Sequence, residues 1–477
     1  MRQTTGLRSG SLSSLLAAVW LAAATSGLAA DPPPLGFADD PHWDAYRNRL
    51  LPETPRITRQ DFGWRRTQRA GGKAPGEIGG RIQRSLTPAS YAAAIPEKTL
   101  ADKLTASGRF AVTHDSSSAG VMCGWFHESS RGWRTPNSIG FRLDGNGGKY
   151  WVLFEYGTSQ WRTGGGATFE GRYQTTKTKP FLSDGTPHDW TLTYDPDGHD
   201  GDGELIFILD GVRYAVPLPK GHKADGARFN RFGLWNVQVA GDDMELYLDD
   251  LTIDGRSEDF TRDPNWVGIG NHNDFRDRGI RPLHDFGYSR TNHAGGALGE
   301  IGGFVWRDEK PAFYGQRIKP LSLDDELSAS GRIALLAADS DSAVRFGWFN
   351  SESLKAQQQP EYEKPAKNFL GVMLEGPSRI GHYFRPNFAV AEGPGGMAEG
   401  PVIRPDGTPR RWTLRYRPQG AGGRLTVALD GSEQTLDVTP EQRRQGAVFD
   451  RFGLFNVMAG GHHVEVYLDD LTFTGGN

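Results

Sequence analysis

Apolar and polar residues alternate with a period of two through most of this chain. In Met244-Glu-Leu-Tyr-Leu-Asp249, Met244, Leu246 and Leu248 fall on one side and Glu245, Tyr247 and Asp249 on the other, the pattern of a half-buried strand. After Asp249-Asp250 the apolar phase moves to Leu251 and Ile253. The same change recurs at Val464, Val466 and Leu468, then Leu471 and Phe473. A slip of one residue turns every side chain to the opposite face. A phase change at the same Asp pair twice therefore predicts a β-bulge, or a strand that passes between sheets. Trp190, Leu192 and Tyr194 share a face, and Leu205 to Gly211 predicts a hairpin closed by a tight Asp-Gly turn.

The recurrence extends over the whole chain. Residues 231–252 and 451–472 agree at 14 of 22 positions without a gap. Asp40-Pro-His-Trp43 returns as Asp263-Pro-Asn-Trp266, Asp61-Phe-Gly63 as Asp285-Phe-Gly287, and Gly76-Glu-Ile-Gly-Gly80 as Gly299-Glu-Ile-Gly-Gly303. A period of about 220 residues is two copies of one domain, since solenoid repeats run to roughly 20–50 residues. The reading is a first domain over 31–256 and a second over 257–477, meeting near 254–260. Trp125 and Trp348 stand at one position of a strand common to both copies and are expected in the core.

Composition supports many short strands: glycine is abundant at 63 residues and helical runs are scarce. Residues 1–30 carry Arg2 and Arg8, an apolar run around Leu15–Ala24, then Gly27-Leu-Ala29-Ala30. That order predicts an export signal cleaved near Ala29-Ala30, with the mature protein secreted or periplasmic. That run is too short and too Ala-rich for a membrane span, and the sequence has no other long apolar segment. A net charge of −4 with mixed signs gives no argument for nucleic acid or anionic lipid. The single cysteine, Cys123, excludes an internal disulfide and reads as a packed thiol.

The order W-T-L-x-Y (190–194, 412–416), L-x-x-x-L-D-G (205–211, 425–431), F-G-L (232–234, 452–454) and Y-L-D-D-L (247–251, 467–471) resembles the concanavalin A-like, or laminin-G-like, jelly roll. Within that superfamily it resembles the 3-keto-disaccharide hydrolase domain family. The resemblance implies an all-β fold, a tandem pair of jelly-roll β-sandwiches, with loops over a carbohydrate groove.

Candidate chemistry is sparse. Family-sixteen glucanases of this fold carry three acids on one strand, and no such triplet is present; a glycosidase needs two carboxyls facing one bond. Glu300 lies among glycines, and its copy's loop carries Asn292-His293 where the first copy has Gln68-Arg69. Glu300 and His293 are therefore the acid/base candidates. Asn292, Asn350, His382, Tyr383, Arg385 and Asn456 in the second copy, and Trp151 and Trp161 in the first, are candidate sugar-binding residues. A Glu that caps its own loop, an edge strand and a packed loop are the plainer readings of these positions. The loop containing Asp195, Asp197, Asp200 and Asp202 could coordinate Ca2+, although it departs from the EF-hand pattern and has no counterpart in the second copy. No cofactor is required by any motif.

Three functions remain open: a secreted carbohydrate-binding protein for poly- or oligosaccharide, a carbohydrate-active hydrolase or lyase with its site in the second copy, and a structural cell-surface protein. Convergence of Glu300, His293 and Asn456 in one cleft would favour the second.

Overall fold

The computed structural model describes residues 35–50, 56–170, 178–277, 284–339, 341–357, 359–361, 366–375 and 382–476. The expected export signal, residues 1–30, lies outside them. The chain is all-β, a tandem pair of jelly-roll sandwiches, each made of two antiparallel sheets.

In the first sandwich, sheet I runs in the order Val212–Pro217, Glu204–Leu209, His188–Asp195, Leu104–Asp115, Asp243–Ile253, Glu77–Gln83, Arg56–Arg65 and His272–Asp277. Sheet II runs Thr163–Ala167, Lys149–Gly157, Ser138–Asn146, Ser117–Phe126, Arg228–Asn236, Ser90–Thr99 and Val267–Ile269. The second sandwich repeats both orders. Sheet III runs from Ser432–Val438 through Gly422–Leu429, Arg410–Gln419, Leu327–Ala338, His463–Phe473, Glu300–Trp306 and His284–Ser289 to Arg49–Leu50. Sheet IV runs from Gly396–Met397 through His382–Ala389, Phe369–Glu375, Ala343–Phe349, Val448–Asn456 and Phe313–Ser322 to Asp44–Tyr46.

The last strand of each sheet comes from the other copy. Asp44–Tyr46 pairs with Phe313–Gly315, and Arg49–Leu50 with His284–Asp285. Val267–Ile269 pairs with Ser90–Ala92, and His272–Asp277 with Arg56–Asp61. The opening segment of each copy thus crosses to the other copy's sandwich. Phe37 and Trp43 sit in the core of the second sandwich, and Phe260 sits in the core of the first.

The phase change at the Asp pair is a bulge. The pairing of Asp243–Ile253 with Leu104–Asp115 shifts register between Asp249 and Thr252, and the matching shift falls between Arg332 and Ser330 in the second sandwich. Asp250 and Asp470 take φ of 49° and 52°, the left-handed region that short polar side chains tolerate. The strand stays in one sheet, and the bulge lets alternation resume with Leu251 and Leu471 pointing inward.

The outer faces of sheets II and IV carry a row of glycines at one register: Gly140, Gly124 and Gly233 in one, Gly371, Gly347 and Gly453 in the other. A Cβ at Gly140 would touch the Trp235 ring, and one at Gly371 the Phe369 ring. The bare backbone lets aromatic rings lie flat across the sheet. Phe126, Trp235 and Trp133 fill that face in the first sandwich, and Phe349, Phe369 and Phe455 in the second. The chain's own rings therefore occupy much of these faces.

Trp125 and Trp348 are both fully buried. Each meets a Phe edge-on, Phe232 at 4.9 Å and Phe452 at 5.1 Å, an arrangement aromatic pairs prefer. Trp348→Ala is expected to cost about 3–5 kcal/mol, read from chemical denaturation; a midpoint like that of the native chain would show that Trp348 is not a core residue.

Candidate functional site

The glycine-flanked glutamates are loop staples in both copies. Glu300 is fully buried, and its oxygens accept from the Thr291 hydroxyl at 2.6 Å and from the amides of His293 at 2.8 Å and Ala294 at 2.7 Å. Glu77 takes the same three bonds, from Thr67 and from the amides of Arg69 and Ala70 at 2.9 and 2.8 Å. A buried carboxylate persists only when so saturated. The candidate acid/base role of Glu300 meets this obstacle: its oxygens are engaged by its own loop and face no solvent. His293 lies on the Tyr467 ring at 4.5 Å. Asn292 closes the loop through the Gly296 carbonyl at 3.2 Å, as Gln68 does through Gly72 at 2.6 Å.

The remaining candidates do not gather. Asn456 is fully buried; it donates to the carbonyls of Asp308 and Lys310 at 3.1 and 2.9 Å and accepts from the Ala312 amide. Asn236 straps the first sandwich identically through Ser85, Thr87 and Ala89, so the position serves the fold. Asn350 caps the short helix Ser351–Lys355, accepting from the Ser353 amide at 2.8 Å. On the strand His382–Ala389, His382 is buried, and burial pushes its imidazole down to about 4. Tyr383 and Arg385 form their own stack, with 5.1 Å from guanidinium to ring. Trp151 is 5% exposed and carries the Lys149 ammonium at 5.9 Å, so it offers no open ring.

The acidic loop is already served by cations. Lys223 Nζ donates to the carbonyls of Pro196 and Gly201 at 2.7 and 3.0 Å, and Lys103 lies 3.2 Å from Asp195. An ammonium bonded to those carbonyls does not fit a calcium site there. Among the described residues no group of three or more His, Cys, Asp or Glu side chains could hold a metal ion.

A cleft of about 600 Å3 opens between the two sandwiches. From the first sandwich it is lined by the 129–137 loop, Trp161 and Gln238; from the second by Phe304, the 336–339 stretch, the 405–407 turn, His463 and Glu465. Gln238 fixes the loop by accepting from the Gly132 amide at 2.8 Å. Trp161 takes φ of 62°, strained for a bulky residue. Its ring lies against Gly132, where a Cβ would come within 3.1 Å. Trp133, half-buried, has the Arg84, Arg134 and Arg142 guanidiniums within 5.2–5.6 Å of its ring, a cation–π arrangement that fixes the indole.

Across the cleft, buried His463 stacks between Phe304 at 5.1 Å and Trp306 at 5.0 Å. Its Nδ1 is 2.9 Å from the Asp339 carboxylate. Glu465 accepts from the Tyr467 hydroxyl at 3.1 Å, which links the cleft to the His293 platform. Of the sequence candidates, Trp161 lines the cleft; His293 does not, and lies on Tyr467, whose hydroxyl donates to the lining residue Glu465. Trp133, Gln238, Asp339, His463 and Glu465 were missed. The visible signals were the unequal loops after Phe126 and Phe349, and the His462-His463 pair where the first copy has Asp242-Asp243.

No family model matches the chain, and no curated protein does. Among solved structures it is similar to domains LG4-5 of the mouse laminin alpha1 chain, at 10% identity over 89% of this chain and 93% of that one, with a TM-score of 0.25. It is also similar to arcelin-5, a lectin-like defense protein from Phaseolus vulgaris, at 9% identity over 44% and 96%, TM-score 0.22, and to peanut lectin at 10% over 44% and 97%, TM-score 0.20. Laminin G domains and legume lectins are concanavalin A-like jelly rolls, the class the motifs resemble. The architecture assigned above rests on strand order and register.

Asp249 and Asp469, the first members of the two Asp pairs, are 1% and 2% exposed, and burial pushes each carboxyl up from 3.8 to about 6. Both lie under the glycine loop: a Cβ at Gly72 would collide with Asp249, and one at Gly296 would come within 2.8 Å of Asp469. A carboxyl whose folded value is raised holds its proton more firmly when folded. Its contribution is complete below about pH 4 and lost as pH rises through about 6. The paired substitution Asp249→Asn and Asp469→Asn should raise the melting temperature at pH 8 and leave it nearly unchanged at pH 4. An equal offset at both pH values would contradict the assignment.

Proposed function

We propose that this protein binds carbohydrate, an oligo- or polysaccharide, in the cleft between its sandwiches. The observation that carries the reading is the pair of half-buried indoles, Trp133 and Trp161, on one wall of a cleft of about 600 Å3 whose rim and far wall carry Asn137, Arg131, Asp406 and Glu465. Flat apolar rings beside a few polar groups suit a sugar, whose ring faces carry C–H groups and whose edge carries hydroxyls. Of the cleft's acids, Asp339 lies 2.9 Å from His463, Asp406 lies 3.5 Å from Arg410, and Glu465 accepts from Tyr467.

Titration of the purified protein against a glycan panel, followed by tryptophan emission and calorimetry, tests this. Trp161→Ala and Trp133→Ala should each weaken binding about 30-fold, the scale of about 2 kcal/mol for a central tryptophan. Absence of binding across the panel, or binding indifferent to both substitutions, would refute it; release of reducing ends would move the reading to a hydrolase.

We further propose that the protein works outside the cytoplasm. The support is the order of basic, apolar and small residues over 1–30. N-terminal sequencing of the protein from its source cells should begin at Asp31. A sequence beginning at Met1 would contradict export by cleavage.

A further inference from the structure

The two opening segments are built alike and dock alike. In the first, Trp43 stacks on Tyr314 at 5.7 Å, Asp40 accepts the Tyr314 hydroxyl at 3.1 Å, and Asn48 donates to the Phe286 carbonyl at 2.5 Å. In the second, Trp266 packs on Tyr91 at 5.9 Å, Asp263 accepts the Tyr91 hydroxyl at 3.3 Å, and Asn271 donates to the Phe62 carbonyl at 2.6 Å. A glycine admits each segment. A Cβ at Gly299 would collide with the Phe37 carbonyl, and one at Gly76 with the Phe260 carbonyl.

We infer that each sandwich carries a recognition slot for a Phe-x-x-Asp-Pro-x-Trp segment, and that the partner filling it is another copy of that segment supplied by a separate stretch of chain. The slot reads four features at once: an indole face, a carboxylate, an amide donor and a backbone pressed against glycine. All four recur with unrelated flanking residues. The two strand pairings that follow each segment add main-chain hydrogen bonds, the mode by which an extended segment adds to a sheet edge. Neither docking needs the covalent link at the junction, where Asp254 and Gly255 form an exposed hairpin turn. Because each half supplies a segment to the other, two dockings act together, and the second forms at high effective concentration once the first is made.

The test uses the full chain with a site-specific protease sequence inserted between Asp254 and Gly255. After cleavage the halves should co-elute on size exclusion in native buffer, at the position of the uncut chain, and separate only in denaturant; halves that separate in native buffer overturn the inference. The same cleavable chain carrying Trp43→Ala and Trp266→Ala, checked for native circular dichroism before cleavage, should separate after it. If its halves stay together as firmly as the native ones, the surfaces around the cleft hold them and the inference fails. A synthetic peptide of residues 258–277, added in excess to the cut native protein, provides the measurement that does not depend on a variant folding. Native mass spectrometry should show it bound to the N-terminal fragment while the C-terminal one stays held through the docking of residues 37–50, and its failure to bind at any excess overturns the inference.

Discussion

The buried carboxylate of Glu77, and of Glu300 in the second copy, sets the terms for much of what surrounds it. A charge with no access to water is tolerable only if donors converge on it. Here one hydroxyl and two backbone amides do so, and in doing so they fix the path of the loop at 67–70 or 291–294. The fixed loop brings Gly72 or Gly296 down over Asp249 or Asp469, which removes that second carboxyl from water and raises its affinity for a proton. The residue before each glutamate must be glycine, because the carbonyl of Phe260 or Phe37 from the other copy's segment passes where a Cβ would stand. The Gly-Glu-Ile-Gly-Gly motif is thus a junction of three constraints: a stapled loop, a covered acid and a docked segment.

Comparison of the copies reads the strands well, because alternation and turn chemistry are local. The phase change was legible for the same reason, but it fitted a bulge and a strand passing between sheets equally; the register shift decides for the bulge. The exchange of opening segments left no trace in the sequence. Asp40-Pro-His-Trp43 and Asp263-Pro-Asn-Trp266 are alike, and so are the slots around Tyr314 and Tyr91. The pattern is the same whether each segment folds on its own sandwich or on its neighbour. Hydrophobic periodicity does not report which of the two sandwiches a segment joins.

The candidate site was legible only in part, and the reason lies in what a glutamate among glycines can mean. Glycine admits a ligand close to backbone, and it equally admits another stretch of the same chain; Gly299 does the second. Asn456 invited the same error: a polar residue in an apolar run suggests binding, yet it is a strap that Asn236 repeats. What both copies keep served the fold. The cleft was signalled instead by what they do not keep, including the His462-His463 pair.

That difference has a structural cause. On the outer face of sheet I, Arg81 pairs with Asp243 at 2.9 Å, and Thr113 with Glu245 at 3.0 Å. The corresponding positions on sheet III are Phe304, His463, Leu336 and Glu465, and Phe304 and His463 are 4% and 0% exposed. One face is a lattice of ion pairs, such as contribute little where water reaches them. The other has become an aromatic stack that lines the cleft opposite the 129–137 loop. Burial of arginine and aspartate there would have required compensation for both charges. Phe304 in place of the arginine removes one charge outright, and the imidazole of His463 lies 2.9 Å from the Asp339 carboxylate. At these positions the two copies differ where one sandwich faces the other, and the same substitutions give the cleft between them its apolar floor.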